Sequence, residues 1–174
     1  MTDALHEAIG HAVDAEIRIR DFYLDAVGKV ESEVAREVLK FLASQEMRHI
    51  ADIQDFQRTL DGQLTDFSVD ERIIVVTRDK AREFFGQHRS EFEATVNASP
   101  HDAAIYHLGL EMEKNGYLFY QTQAKAATDV RAQKLFSFLE KEEIEHYDLI
   151  ENMSAFLLDP AGWNVREEKW FFEG

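Results

Sequence analysis

The sequence predicts an all-α protein, a four-helix bundle made of two matched helical hairpins. Three observations lead there. Only 2 prolines and 8 glycines interrupt the 174 residues, which are rich in good helix formers. Apolar residues recur at alternating steps of three and four in four long stretches, the period of a helix with one buried face. A shift of 97 residues also aligns the two halves without gaps. Phe22-Tyr23 falls on Phe119-Tyr120, Phe41-Leu42 on Phe138-Leu139, and Glu46 and His49 on Glu143 and His146.

The first helix is expected from about Asp3 to Val27. Its inward seam reads Leu5, Ile9, Ala12, Glu16, Ile19, Tyr23, Ala26, and Gly28 ends it. The second starts at Ser32, a good N-cap followed by Glu33 near the positive helix end. Its seam is Ala35, Leu39, Leu42, Glu46, His49, Ile53, Phe56, Leu60, and Asp61-Gly62 closes it. Residues 63–99 carry a weaker pattern. Ile73-Ile74-Val75-Val76 has strand composition, but Ile73, Val76, Ala81, Phe84, His88 and Phe92 fit a loose helical period, so one or two short helices are expected.

The third helix has Ser99 as N-cap, Pro100 in the first helical position and Asp102 in the first turn. Its inward residues read Tyr106, Leu110, Glu113, Tyr117, Tyr120, Ala124. A turn over residues 126–129, with Asp129 as N-cap, leads into the fourth helix. That helix presents Ala132, Phe136, Leu139, Glu143, His146, Ile150, Met153, Leu157 and stops at Asp159-Pro160. Residues 1–158 are read as the bundle domain. Residues 159–174, with Trp163, Trp170, Phe171 and Phe172, form an aromatic-rich tail expected to dock on the bundle or on a partner subunit.

Polar residues fall in the middle of all four apolar seams. Glu46-x-x-His49 and Glu143-x-x-His146 each place a carboxylate and an imidazole on one helix face. Each is partnered by a glutamate 30 residues upstream, Glu16 and Glu113. Both members of each pair lie about 20–25 Å from their hairpin turn at 1.5 Å per residue, hence level with each other. A lone Glu-x-x-His is weak evidence for metal, but two matched copies in buried seams are not. Burying a carboxylate costs several kcal/mol, and four together repel. Arg18, Arg20 and Arg48 fall off the stripes, and Glu111, Glu140, Glu142 and Glu145 read as solvated surface. Two divalent cations held by Glu16, Glu46, His49, Glu113, Glu143 and His146 answer the charge problem. Carboxylates and imidazoles suit iron, with manganese or zinc as alternatives. Tyr23 and Tyr120 lie seven residues after Glu16 and Glu113, placed either to fill the core or to hydrogen-bond the ligand carboxylates. His6, His11, His88, His101 and His107 have no matched partners and read as surface or ordinary structural residues.

These residues resemble the rubrerythrin family of ferritin-like proteins. The resemblance rests on Glu113-Lys-Asn-Gly-Tyr-Leu-Phe-Tyr120, its weaker copy Glu16-Ile-Arg-Ile-Arg-Asp-Phe-Tyr23, and the two Glu-x-x-His motifs. It implies a ferritin-like bundle with a long crossover between helices 2 and 3. It implies that Glu46 and Glu143 bridge two iron ions, that Glu16 and Glu113 are terminal ligands, and that His49 and His146 supply nitrogen. Two departures stand out. The chain has no cysteine for a rubredoxin iron, so electrons come from a separate redox protein. The extra glutamate that many relatives carry three residues after the helix-3 ligand, used when one iron shifts between His and Glu, is Gly116 here.

The expected function is a di-iron oxidoreductase, a peroxidase that reduces hydrogen peroxide in oxidative-stress defence with an external electron donor. The alternatives are a ferroxidase acting on iron with oxygen or peroxide, and a bundle stapled by a redox-silent ion. The formal net charge of −15 argues against nucleic acid and anionic membranes as partners. No apolar run reaches the length of a membrane span, and the acidic start lacks a signal-peptide pattern, which suggests the cytoplasm. A homodimer is expected, and the long 61–99 connection would permit helix exchange between subunits.

Overall fold

The computed structural model describes residues 2–69 and 100–158. Among them are four long helices and no strand: α1 (Thr2–Val27), α2 (Glu33–Leu60), α3 (Pro100–Ala126) and α4 (Val130–Leu158). The α1 and α2 helices pack along each other as one hairpin, and α3 and α4 as the other. Lighter contacts of α1 with α3 and of α2 with α4 close the bundle.

The helix ends follow local chemistry. The Ser32 side chain accepts from the backbone N–H of Ala35, taking up one of the donors a helix start leaves free. Asp129 does the same for α4, accepting from the N–H groups of Arg131 at 2.7 Å and Ala132 at 3.3 Å. The α2 helix closes at Asp61, and the chain turns at Gly62 with φ +70°. That left-handed conformation suits a residue without Cβ. Residues 63–69 leave as irregular chain, and Phe67 packs edge-on against Phe56 at 5.3 Å. The short helices expected after Ile73, the Ser99 cap and the Trp-containing tail lie outside the described residues.

The core has two apolar clusters. One gathers Ile19, Tyr23, Leu39, Leu42, Tyr106, Ile150 and Met153, with others around the turn joining α1 to α2. The second gathers Ile9, Ala12, Ile53, Phe56, Phe136 and Leu139, with others toward the opposite end. The polar seam residues sit in the chain between members of the two. The expected seams of α1, α2 and α4 face inward, with only their end residues Leu5 and Leu60 less than fully buried.

On α3 the reading needs a correction. Tyr117 was placed inward, but it is half-buried and its ring meets Tyr147 edge-on at 6.3 Å. The inward position belongs to Gly116, which is buried three residues after Glu113. A hydrophobicity pattern favours the large side chain over its small neighbour, whereas the helix only supplies the phase.

Candidate metal centre

All six residues singled out from the sequence are completely buried: Glu16, Glu46, His49, Glu113, Glu143 and His146. They converge between the hairpins. Nδ1 of His49 lies 3.0 Å from Glu46 Oε2, 3.2 Å from Glu143 Oε1 and 3.5 Å from Glu16 Oε2. Nδ1 of His146 lies 3.0 Å from Glu46 Oε1 and 3.8 Å from Glu113 Oε2. The two rings stack at 5.3 Å with 17° between their planes. Glu46 therefore offers one oxygen to each histidine. Side-chain donor atoms of Glu46, His49, Glu143 and His146 all lie within 4.8 Å of one another.

The tyrosines tie the halves together. Tyr23 on α1 donates its hydroxyl hydrogen to Glu113 on α3, and Tyr120 on α3 donates to Glu16 on α1. Each thus serves the glutamate of the opposite hairpin rather than the one on its own helix. Burial, reinforced by the facing carboxylates, raises both phenols well above their ordinary range, so they remain donors.

Unpaired atoms show what the cluster lacks. Oε2 of Glu16, Oε1 of Glu46, Oε2 of Glu113, both oxygens of Glu143 and Nδ1 of His146 are buried without a hydrogen bond. Buried polar atoms normally have partners, and here an unusual number of lone pairs is left in one spot. Four carboxylates and two imidazoles match a set for hard or borderline divalent ions. The residues fit such a group.

Protons redistribute the charge in the metal-free cluster. Burial, helped by the negative charge of Glu46, pushes Glu16 up to about 8. Burial with the charges of Glu16 and Glu46 pushes Glu143 up to about 8, and Glu113 is raised well above the carboxylate range by burial and Glu143. Burial would also raise Glu46, but the facing His146 and His49 outweigh it and hold Glu46 well below. Burial opposes charge on the histidines too, but the surrounding carboxylates together outweigh it, Glu46 first, with Glu142, Glu143 and Glu16 at His49 and Glu113 at His146, so both stay protonated at higher pH than usual.

Two expectations are overturned beside the cluster. Glu142, read as surface, is completely buried, and Arg48, read as lying off the stripe, donates to it across the bundle. The same carboxylate lies 3.7 Å from Nε2 of His49, the nitrogen turned away from the cluster. At that distance, with Nε2 lacking a hydrogen-bond partner, the carboxylate acts on the imidazole through its charge rather than through a hydrogen bond. The signal was in the sequence: Leu135, Leu139, Glu142, His146 and Leu149 step by four, three, four and three, and all are buried. The companion hairpin lacks the arrangement, because the 97-residue shift places Gln45 on Glu142 and Glu145 on Arg48. Removing Arg48 as Arg48→Ala strands a buried carboxylate and is expected to destabilise by about 3 kcal/mol in urea titration. Arg58→Ala, which breaks an exposed bridge to Asp55, should stay within about 0.5 kcal/mol.

Among the remaining residues the surface reading holds for His11, His107 and Glu111. His11 and His107 are exposed, His6 is half-buried against Asp61 at 3.1 Å, Glu111 is exposed, and Glu140 and Glu145 are half-buried. His88 lies outside the described residues, as does the side chain of His101. No described helix is long and apolar enough to cross a membrane. A family model described as Rubrerythrin matches residues 7–154. No curated protein and no solved structure matches the chain.

Proposed function

Because the chain belongs to the rubrerythrin family, we propose that its buried cluster holds two iron ions and that the protein reduces hydrogen peroxide with electrons from a separate redox protein. The observation that carries this reading is the meeting of four carboxylates and two inward-facing Nδ1 atoms in one buried place. Glu46 reaches both histidines and Glu143 reaches His49, which supports these two as the bridging pair. Glu16 with His49, and Glu113 with His146, would complete the two positions.

Bound iron would supply the two electrons that cleave the peroxide O–O bond. The chain's own work is arrangement and exclusion. Tyr23 and Tyr120 fix one oxygen each of Glu113 and Glu16 and leave the other oxygen free. Glu142, held by Arg48, sets a negative charge behind His49. The apolar clusters at either end keep bulk water from the carboxylates. None of these groups is placed as a nucleophile. The absence of cysteine leaves no sulfur-ligated iron on this chain to pass electrons, hence the separate donor.

The test is stopped-flow absorbance of anaerobic, ferrous-loaded protein mixed separately with hydrogen peroxide and with oxygen. Ferric absorption is expected to appear faster with peroxide, at least tenfold at equal concentration, and to reset on adding reductant. Oxidation by oxygen at a comparable or higher rate would replace this reading with the ferroxidase. No ferric absorption with either oxidant would leave a redox-silent structural ion.

A further inference from the structure

Between α1 and α3 lies a half-open hollow of about 380 Å³, with Glu16, Gly116 and Tyr120 among its walls and Asn115 on its exposed edge. Two of those walls belong to the cluster, since Tyr120 donates to the buried Glu16. The hollow therefore ends against the site, with Glu16 and Tyr120 buried beneath it.

Its origin is legible in the repeat. The 97-residue shift places Ile19 on Gly116. Ile19 is 5% exposed and lines the same hollow from the α1 side; its counterpart on the α3 side has no side chain. The space at Gly116 is also close to a cluster oxygen, because a Cβ there would sit 2.8 Å from Glu143 Oε2. That oxygen and Oε2 of Glu16 are buried and lack hydrogen-bond partners. A molecule that reached the floor of the hollow would lie beside Glu16, whose Oε2 has unused lone pairs, with Glu143 next to Gly116.

We propose that this hollow is the port through which a small uncharged oxidant, of the size of hydrogen peroxide, reaches the cluster. The inference rests on the reading of the cluster as a metal centre. Gly116, on the wall of the hollow, lets the Glu143 carboxylate lie against the α3 backbone. A side chain at 116 would force that carboxylate aside. Ala15, half-buried on the wall of the hollow and outside the cluster, is the place to narrow the port without touching a cluster residue.

The experiment uses the full chain loaded anaerobically with ferrous iron, in the series Ala15→Val, Ala15→Leu and Ala15→Phe, with Asn115→Leu as an independent plug. Three readouts are taken: ions per chain after desalting, the association rate of nitric oxide as a neutral diatomic probe, and the rate of oxidation by peroxide. The expected result is unchanged iron content, with both rates falling together as position 15 grows, by tenfold or more in Ala15→Phe. Rates unchanged in Ala15→Leu or Asn115→Leu that still hold two ions would overturn the port. Should Ala15→Phe fail to fold, Ala15→Val and Asn115→Leu decide by the same comparison. A wild-type chain that binds no iron would instead sink the metal reading, so the two failures are told apart by the first readout.

Discussion

The metal-free protein is expected to lose stability as the pH rises from about 5 to 9, and loading with metal should abolish the loss. The sign follows from the carboxylates. Glu16 and Glu143 titrate near 8 in the folded chain, against about 4.3 when unfolded. A group whose pKa is raised by folding contributes most below its unfolded value, and that contribution disappears as pH passes the folded value. Glu113, His49 and His146 are raised as well and act in the same direction. Glu46 is depressed and works the other way, but only in acid. Each raised carboxyl represents several kcal/mol at about 1.4 kcal/mol per unit, shared among coupled groups. At about 2–4 °C per kcal/mol for a domain of this size, the Tm of the metal-free chain should fall by about 10 °C or more over this range. Glu16→Gln should flatten the curve. A fall that persists undiminished in a Glu16→Gln, Glu143→Gln double variant would trace to surface charge and overturn the assignment. The same groups give a second reading of the same claim. At pH 7 the metal-free cluster holds protons on Glu16 and Glu143, which titrate at about 8. Titration with a divalent ion in weakly buffered solution at that pH should therefore release protons, about two per chain from these carboxyls; no release would mean the cluster is already ionised.

Glu46→Ala is expected to reduce binding from two ions per chain to at most one, and Glu143→Ala to do the same. Glu46 is the residue that touches both imidazoles, at 3.0 Å each. Without it only Glu143 of the proposed bridging pair remains, and its ion-pair contact is with His49. The loss also reaches the metal-free fold. The two histidines owe their raised basicity chiefly to Glu46, and their stacked rings would then face each other 5.3 Å apart without the anion between them. Removing one partner from a buried charged set costs about 3–5 kcal/mol, so the variant should unfold at lower urea as well. Iron content after desalting is the deciding measurement, and two ions retained by either variant would refute the bridging role.

The four helices and their caps were legible because each is long, carries a continuous 3.6-residue pattern and begins or ends on a residue with a mechanism, as at Ser32, Gly62 and Asp129. The six-residue cluster was legible because polar residues interrupt those patterns at one level, twice. What escaped shares a cause. Glu142 was passed over because a charged residue beside a motif is usually solvated, although its phase was inward; burial became tolerable only with Arg48 arriving from another helix. Gly116 was passed over for Tyr117 because pattern reading gives weight to size. The hydrogen bonds of Tyr23 and Tyr120 to the opposite hairpin depend on how the hairpins meet, which no single-helix pattern encodes.

The repeat has a further consequence for what one chain can do that a pair of identical halves cannot. Two copies of the first hairpin, related by a true twofold axis, would each bring Glu16, Glu46 and His49, and so could assemble the same six groups. They could not place isoleucine on one side and glycine on the other, because the axis would put the same residue at both. Nor could they set Arg48 against Glu142, since the first hairpin has Gln45 at the matching place. Joining the hairpins in a single polypeptide frees the two sides to differ while the shared centre stays balanced. One wall of the hollow can then carry a side chain where the facing wall has none, and one histidine can have a carboxylate behind it while its twin does not. The duplicated chain thus keeps the symmetry that builds the pocket of carboxylates and relinquishes it only at the positions that give the site a front and a back.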